Sequence, residues 1–417
     1  MTPSVRELVL VFGRIGLLSF GGPAAQISLM HQELVDRRAW LSEETYLRAL
    51  SLCMLLPGPE AMQLATYAGW RLRGVTGGLI AGTLFVLPGA IVISALVLLY
   101  ASFGTLPLVQ AGFLGIKATV IVIVLQALLK LSRKALTDME HRLLAGIGFL
   151  GIFLFNLPFP LIILAAALWG YVSFKGPVAQ QDTSPRASFS GTLRTVAIWV
   201  PLWLGPLVLL SLSGHQLLSD LGWFFARLAV VTFGGAYAVL AYMTQTVVNQ
   251  YQWISTGQMI DALGLAETTP GPLILVTQFV AMLTGQINGG VSLAFAAGAV
   301  ALWATFVPCF LWIFLAAPYL DKLATRPRLS AALHGITAAV VGVILNLSVW
   351  FALNVLFGAL TQYSWGPVSI PLPGWDSLNL TAAALTVAAG VLIFLAKLGM
   401  ATVLALMSVA GIAIQLL

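Results

Sequence analysis

The chain has 417 residues, 59% of them hydrophobic and only 8% charged, with a mean hydropathy of +0.98. Ordinary soluble domains carry about 25% charged residues. The 20 Lys and Arg and 14 Asp and Glu of this chain cannot cover a soluble surface of its mass. A soluble enzyme is excluded, and a polytopic membrane protein with a lipid-covered exterior is expected. The net charge of +6 does not point to nucleic acid, because the basic residues lie in short loops between apolar runs.

Apolar segments run over 5–20, 24–36, 43–56, 59–73, 77–100, 107–129, 143–157 and 158–174. A polar stretch, 175–192, follows. Then come 193–213, 217–236, 238–250, 255–269, 272–286, 290–317, 329–357, 379–396 and 398–417. Only some of these reach the ~20 residues needed to span a bilayer. Several shorter ones meet at Gly or Pro and read as discontinuous or re-entrant helices, which protein or water must line. The N-terminus lacks a signal-peptide pattern. Cys53 and Cys309 lie far apart, and the four histidines are scattered, so no disulfide framework or metal spacing is present. No cofactor is implied, and the absence of a G-x-x-x-x-G-K-[ST] loop argues against ATP hydrolysis.

The chain repeats. Sliding by 213 places residues 12–59 on 225–272 with 17 identities in 48 positions. Phe20-Gly21-Gly22 falls on Phe233-Gly234-Gly235, and Pro57-Gly58-Pro59 on Pro270-Gly271-Pro272. A seven-residue insertion raises the offset to 220, aligning Pro88 with Pro308, and a weaker match lays 152–171 over 393–412. Two related halves, 1–174 and 217–417, are thus joined by a linker and one extra helix within 175–216.

Loop charges reverse between the halves. The loop 130–142 has four Lys and Arg and its counterpart 358–378 has none, whereas 318–328 has three and its counterpart 101–106 has none. By the positive-inside rule the halves lie oppositely in the membrane. The expected fold is therefore an all-α inverted-topology repeat, with broken helices at the FGG and PGP motifs and a cytoplasmic N-terminus. That plan is common in secondary transporters, whose substrate site lies between the repeats near the midplane.

Each PGP motif must break its helix, since proline fixes φ and removes a donor. The helix that follows presents free N–H groups and the positive end of its dipole, which suits an anion. The glycine pairs let backbone approach a ligand or another helix closely. Arg14 and Arg227 precede those pairs by similar spacings in apolar helices. Paired guanidinium groups suit a tetrahedral oxyanion, and the bland alternative is snorkelling to headgroups. Lys117 is a possible third cation, paired with Glu60 or Glu267. Those two carboxylates are candidates for carrying a proton or for simple dipole partners. Gln26 can supply a neutral hydrogen bond to substrate or a helix–helix contact.

The run FGGPAAQISLMHQELVDRRAWLS with LCMLLPGPEAMQLATYAGWRLRG (20–74), and FGGAYAVL, WIS and LAETTPGPLILV in the second half, resemble the chromate ion transporter family in its long, two-domain form. The resemblance implies chromate efflux and chromate resistance at the bacterial cytoplasmic membrane, with sulfate as a structural analogue. Where the family usually shows a histidine after FGGPxA, this chain has Gln26. A second reading is a carrier of sulfate or another oxyanion. An intramembrane enzyme would need clustered nucleophile, base or metal ligands, and no such cluster is visible. A homodimer is left open by the sequence.

Overall fold

The computed structural model describes residues 3–173, 189–233, 236–320 and 327–417. Its first half contains α1 (Val5–Leu18), α2 (Gly22–His31), α3 (Glu43–Leu55), α4 (Glu60–Phe103), α5 (Pro107–Ala135), α6 (Met139–Phe153) and α7 (Phe159–Ser173). Next come α8 (Phe189–Leu212), α9 (Gln216–Val231), α10 (Ala236–Thr244), α11 (Thr256–Thr268), α12 (Val276–Ala316) and α13 (Pro327–Leu356). The chain ends with the strands β1 (Leu360–Trp365) and β2 (Val368–Pro373), then α14 (Leu380–Gly390) and α15 (Met400–Leu416). Among the described residues, five helical segments are long and apolar enough to cross a membrane: Glu60–Phe103, Pro107–Ala135, Ser190–Leu212, Leu273–Tyr319 and Pro327–Leu356. This is a multi-pass, predominantly helical membrane protein.

The 44 residues of α4 would reach about 66 Å as a straight rod, twice the hydrocarbon thickness. They do not form one. Arg73 (φ −143°, ψ 32°) and Gly74 (φ 59°, ψ −153°) reverse the chain. Gly69 and Ala81 would lie ~18 Å apart in a straight helix. Instead a Cβ placed on Gly69 would stand 2.6 Å from the Ala81 Cβ. The same reversal occurs in α12 at Gly289 and Gly290 (φ 73°, ψ −164°), where a Cβ on Gly285 would lie 2.8 Å from Ala294 Cα. Each PGP motif is thus followed by a short arm that folds back on a longer helix. The boundaries expected between 59–73 and 77–100, and between 272–286 and 290–317, fall at these two turns.

The 213-residue offset is visible in the backbone. A π-helical turn at Gln32–Asp36 is matched by one at Gln245–Gln250. Ala39 (φ 49°) is matched by Gln252 (φ 52°). The Trp40 amide donates to Leu34 O at 2.8 Å, and the Trp253 amide to Val247 O at 3.1 Å. Ser42 and Ser255 each accept from the amide three residues on, both at 3.2 Å. In the weaker match, Asn156 (φ 51°) and Lys397 (φ 52°) share the left-handed conformation, and Lys397 lies in a tight connection between two short helices.

Two compact units form, and each draws on both sequence halves. The first comprises Met1–Leu98, Lys175–Ala236 and Thr269–Ser330, and the second Leu99–Phe174, Tyr237–Thr268 and Ala331–Leu417. In the first unit α12 packs on α8 and α9. The Trp203 indole N–H donates to Ala304 O at 3.0 Å and the Trp303 indole to Leu202 O at 3.1 Å. In the second unit α5 is the central helix, covered by α14 and α15. Ala118, Val122, Ile123, Leu385, Ile393, Leu404 and Met407 form their shared core. A Cβ on Gly115 or on Gly411 would collide with a carbonyl of the facing helix, the close approach that small residues permit in membranes.

One element departs from the all-helical expectation. Residues within the neutral loop 358–378 form an antiparallel hairpin, with Leu360 opposite Pro373 and Trp365 opposite Val368. The alternation in TQYSW and VSIPLP is short and proline-bearing, so it reads as loop in sequence. Most of the linker 175–192 and residues 321–326 of the loop 318–328 lie outside the described residues.

Gly74 stands in a conformation open almost only to glycine, with nothing within 4 Å of a Cβ there. Gly74→Ala therefore tests backbone alone, and is expected to cost about 1–3 kcal/mol. Gly13, in α1 with equally open surroundings, is the control, since alanine there is expected to stabilise by about 0.4–1 kcal/mol. Thermal unfolding in detergent checks both, as Tm shifts of opposite sign.

Candidate functional site

The two PGP motifs and the ends of α1 and α9 meet inside the first unit. The amide of Gly271 donates to Ser19 O at 2.9 Å, and the amide of Gly58 donates to Thr232 O at 2.9 Å. Ser19 and Thr232 are separated by 213 residues, as are Gly58 and Gly271. Each repeat's break is thus bonded to the other repeat's helix end. The match extends to the side chains. Ser19 Oγ donates to Ile15 O at 2.5 Å, and Thr232 Oγ1 donates to Leu228 O at 2.6 Å. Both residues are buried. Gly58 and Gly271 have φ of 122° and 87°. At Gly58 a Cβ would lie 2.8 Å from Gln63 Nε2 and 3.2 Å from Cys309 Sγ.

This geometry changes the role expected of the motif itself. Pro57, Pro59, Pro270 and Pro272 have no N–H to offer, and the amides of Gly58 and Gly271 are bound to protein carbonyls. The PGP core is a cross-brace, not a cradle of free amides. Just past the motifs the amides of Gln63 and Leu275 donate to Pro59 O at 3.0 Å and Pro272 O at 2.9 Å, so each following segment opens as a helical turn. Gln26 belongs to the brace too. Its Nε2 donates to Gly271 O at 2.7 Å and to Ser19 O at 3.2 Å, the helix–helix alternative of its two readings. Gly21 (φ 84°) and Gly22 (φ 77°) make the turn into α2, while Gly234 and Gly235 lie outside the described residues.

Arg14 and Arg227 are both exposed on their helices, and Arg227 Nε donates to Trp223 O at 3.2 Å. Glu60 opens α4 and is partly buried. Lys117 belongs to the second unit, where its ion pair is with Asp261 and not with Glu267. Its Nζ lies 3.2 Å from Asp261 Oδ1, and Asp261 Oδ2 accepts from Tyr100 Oη at 2.8 Å. Glu267 is buried and accepts from Tyr237 Oη at 2.8 Å. Sequence reasoning passed over Asp261, Tyr100 and Tyr237. The available signal was an acid inside the apolar run 255–269, standing where the first half has Arg48.

Two further polar features are present among the described residues. A cavity of about 240 Å³ in the second unit is lined by Asn156, Gln245, Asn249, Asn346, Asn354 and Gln362 among others, with no charged residue in its lining. In the first unit Glu33 is buried and bonded to Arg38, with Arg37 Nη1 at 2.5 Å. Burial works to raise its pKa, but Arg38, Arg37 and Arg14 together hold the carboxyl below its ordinary value. Among the described residues no group of three His, Cys, Asp or Glu is placed to hold a metal.

The family profile described as chromate transporter matches residues 6–171 and again residues 219–414. The chain belongs to the chromate transporter family. The chromate transport protein of Cupriavidus metallidurans is 33% identical over 344 residues, covering 82% of this chain and 81% of that protein. The chromate transport protein of Pseudomonas aeruginosa is 32% identical over 357 residues, covering 82% and 79%. An uncharacterised transporter of Bacillus subtilis, YwrA, is 31% identical over 166 residues, which are 93% of its length but 39% of this chain. No solved structure matches. In this chromate transporter family member the cross-brace joins the two profile-matching segments, since Ser19 and Gly58 lie in the first and Thr232 and Gly271 in the second.

Gln26→Leu leaves the buried Gly271 carbonyl without its side-chain donor. The expected cost is about 1–3 kcal/mol, read as a lower Tm in detergent. A second prediction concerns pH. His31 Nε2 lies 2.6 Å from Glu43 Oε2, and Nδ1 lies 3.4 Å from Asp36 Oδ2. The bond to Glu43 and the nearby carboxylates raise its pKa above 6.5. A raised histidine contributes its stability in full below the unfolded pKa, and loses it as pH rises through the folded one. The Tm gap between wild type and His31→Ala is therefore expected at about pH 6 and should close by about pH 9.

Proposed function

We propose that this chain exports chromate across the bacterial cytoplasmic membrane by alternating access and so confers chromate resistance. Chromate transport is the named activity of its full-length relatives from Cupriavidus metallidurans and Pseudomonas aeruginosa. The observation that supports the reading is the cross-brace at Gly58–Thr232 and Gly271–Ser19. It brings two broken-helix junctions together in one unit, with the starts of two short helical arms just beyond them. Such arms turn the positive ends of their dipoles, and amides without helical partners, toward a buried anion. The two halves lie as an inverted repeat in this reading, with the N-terminus in the cytoplasm.

Arg14 and Arg227 draw the dianion in, and their exposure leaves both guanidinium groups accessible to it. Lys117 is a third cation. Expelling an anion from a negative interior is downhill by about 2.3 kcal/mol per charge per 100 mV, so the membrane potential alone can drive export. Glu60 and Glu267 are the carboxylates near the motifs in sequence that can couple transport to protons. Sulfate, of the same tetrahedral shape, is the competing cargo.

Chromate uptake into inside-out membrane vesicles, energised or not and with excess sulfate as competitor, tests the reading. Energy-dependent accumulation is the expected result. Movement of sulfate without chromate overturns the proposed substrate. In the same assay Arg14→Ala and Arg227→Ala are each expected to abolish transport with membrane insertion intact, and wild-type rates in both would remove the arginines from the site.

A further inference from the structure

The second unit holds an ion pair between two of its helices. Asp261, on α11, is 1% exposed. Lys117, on α5, has a side chain 17% exposed and places Nζ 3.2 Å from Asp261 Oδ1. Tyr100, in the last turn of α4, donates its hydroxyl to Asp261 Oδ2 at 2.8 Å. Oδ2 is thus hydrogen-bonded from α4, while Oδ1 is buried without a hydrogen-bond partner and is met by the Lys117 charge from α5. One turn further along α11, a Cβ on Gly264 would collide with Ile116, the neighbour of Lys117. The two helices press together there and shut the pair off on that side. Lys117 and Tyr100 are the titratable groups facing Asp261 from α5 and α4. α15 also packs on α11, and it has no titratable residue in its sequence MATVLALMSVAGIAIQL.

We propose that Asp261, with Lys117 and Tyr100, is a proton-binding site that ties proton movement to anion movement. This rests on the reading of the chain as an oxyanion transporter with Lys117 among its cations. In the resting pair the charges of Lys117 and Asp261 cancel. A tetrahedral anion that engages the Lys117 ammonium takes that countercharge away. A buried carboxylate without a countercharge is costly and neutralises by taking up a proton. The step balances simply. The Asp261 carboxylate takes one proton from hydronium in the water reaching the site and becomes a carboxylic acid, Lys117 keeps its own proton, and no bond in the anion changes. Tyr100 continues to donate to Oδ2 while the new O–H forms on Oδ1.

Proton and anion therefore bind together and leave together. A dianion moves with one proton and carries one net charge across the membrane instead of two. The membrane potential then acts on half the charge, and a pH difference across the membrane enters the balance directly.

The test uses the full chain in liposomes containing a trapped pH dye. An inward gradient of chromate is applied at alkaline pH, with sulfate, which stays fully ionised, as a second probe. The expected result for wild type is acidification of the lumen by one proton per anion entering. Asp261→Asn is expected to bring that ratio to zero for whatever flux it retains. Anion entry without acidification in wild type, or undiminished acidification in Asp261→Asn, overturns the proposal while leaving the transport reading in place. Absence of flux for chromate and sulfate alike overturns the transport reading, and the proton site with it. Where Asp261→Asn fails to fold, Asp261→Glu retains the charge balance and is expected to shift the pH midpoint of the coupling ratio. A midpoint identical to wild type counts against Asp261 as the proton carrier.

Discussion

Lipid offers no hydrogen bonds, and that constraint governs how this chain is built. An unbroken helix meets it within its own backbone, but a broken one does not. Four breaks converge in the first unit, at Ser19, Gly58, Thr232 and Gly271, and each would leave buried polar groups without partners. They solve the problem pairwise. The amide freed at each PGP turn binds the carbonyl freed at the opposite helix end, both at 2.9 Å. Gln26 adds a side-chain donor to one of these carbonyls, Ser19 O, and to the carbonyl of Gly271. Leaving one such group unpaired costs about 1–3 kcal/mol, a sizeable fraction of the roughly 5–15 kcal/mol by which folded proteins are stable.

Charge obeys the same rule. Glu33 lies between Arg37 and Arg38, Asp261 between Lys117 and Tyr100, and Glu267 against Tyr237. A buried ion pair adds little net stability against an apolar substitute. Of these groups Lys117 lies on the span-length α5, whereas Asp261 and Glu267 lie on the short α11. The carboxamide-lined cavity makes a contrast, since it offers polar contacts without a fixed charge.

Much of the fold was legible in the residues. The glycines at 74 and 290 and the PGP triplets mark breaks because their backbone demands are local and chemically specific. The repeat offset carried over to π turns, left-handed residues and caps that no apolar pattern announces. What stayed hidden depended on which segments meet in space. The brace stayed hidden because the acceptor of the Gly58 amide, Thr232, lies far off in the other repeat. Lys117 was assigned the wrong partner because Asp261 lies 144 positions away in a run that otherwise reads as apolar. The hairpin at 360–373 was missed because its strands are short and contain proline. The compact units interleave the two halves, which no linear boundary expresses.

The brace also has a mechanical meaning. Each short arm starts from a turn whose glycine is held by the other repeat, so neither arm is anchored only to its own half. Tilting the arm after Gly58 pulls on the end of α9, and tilting the arm after Gly271 pulls on the end of α1. The two junctions act as meshed gears, in which displacement on one side is imposed on the other at the cost of one hydrogen bond if they slip. A protein wired in this way resists opening at one junction alone.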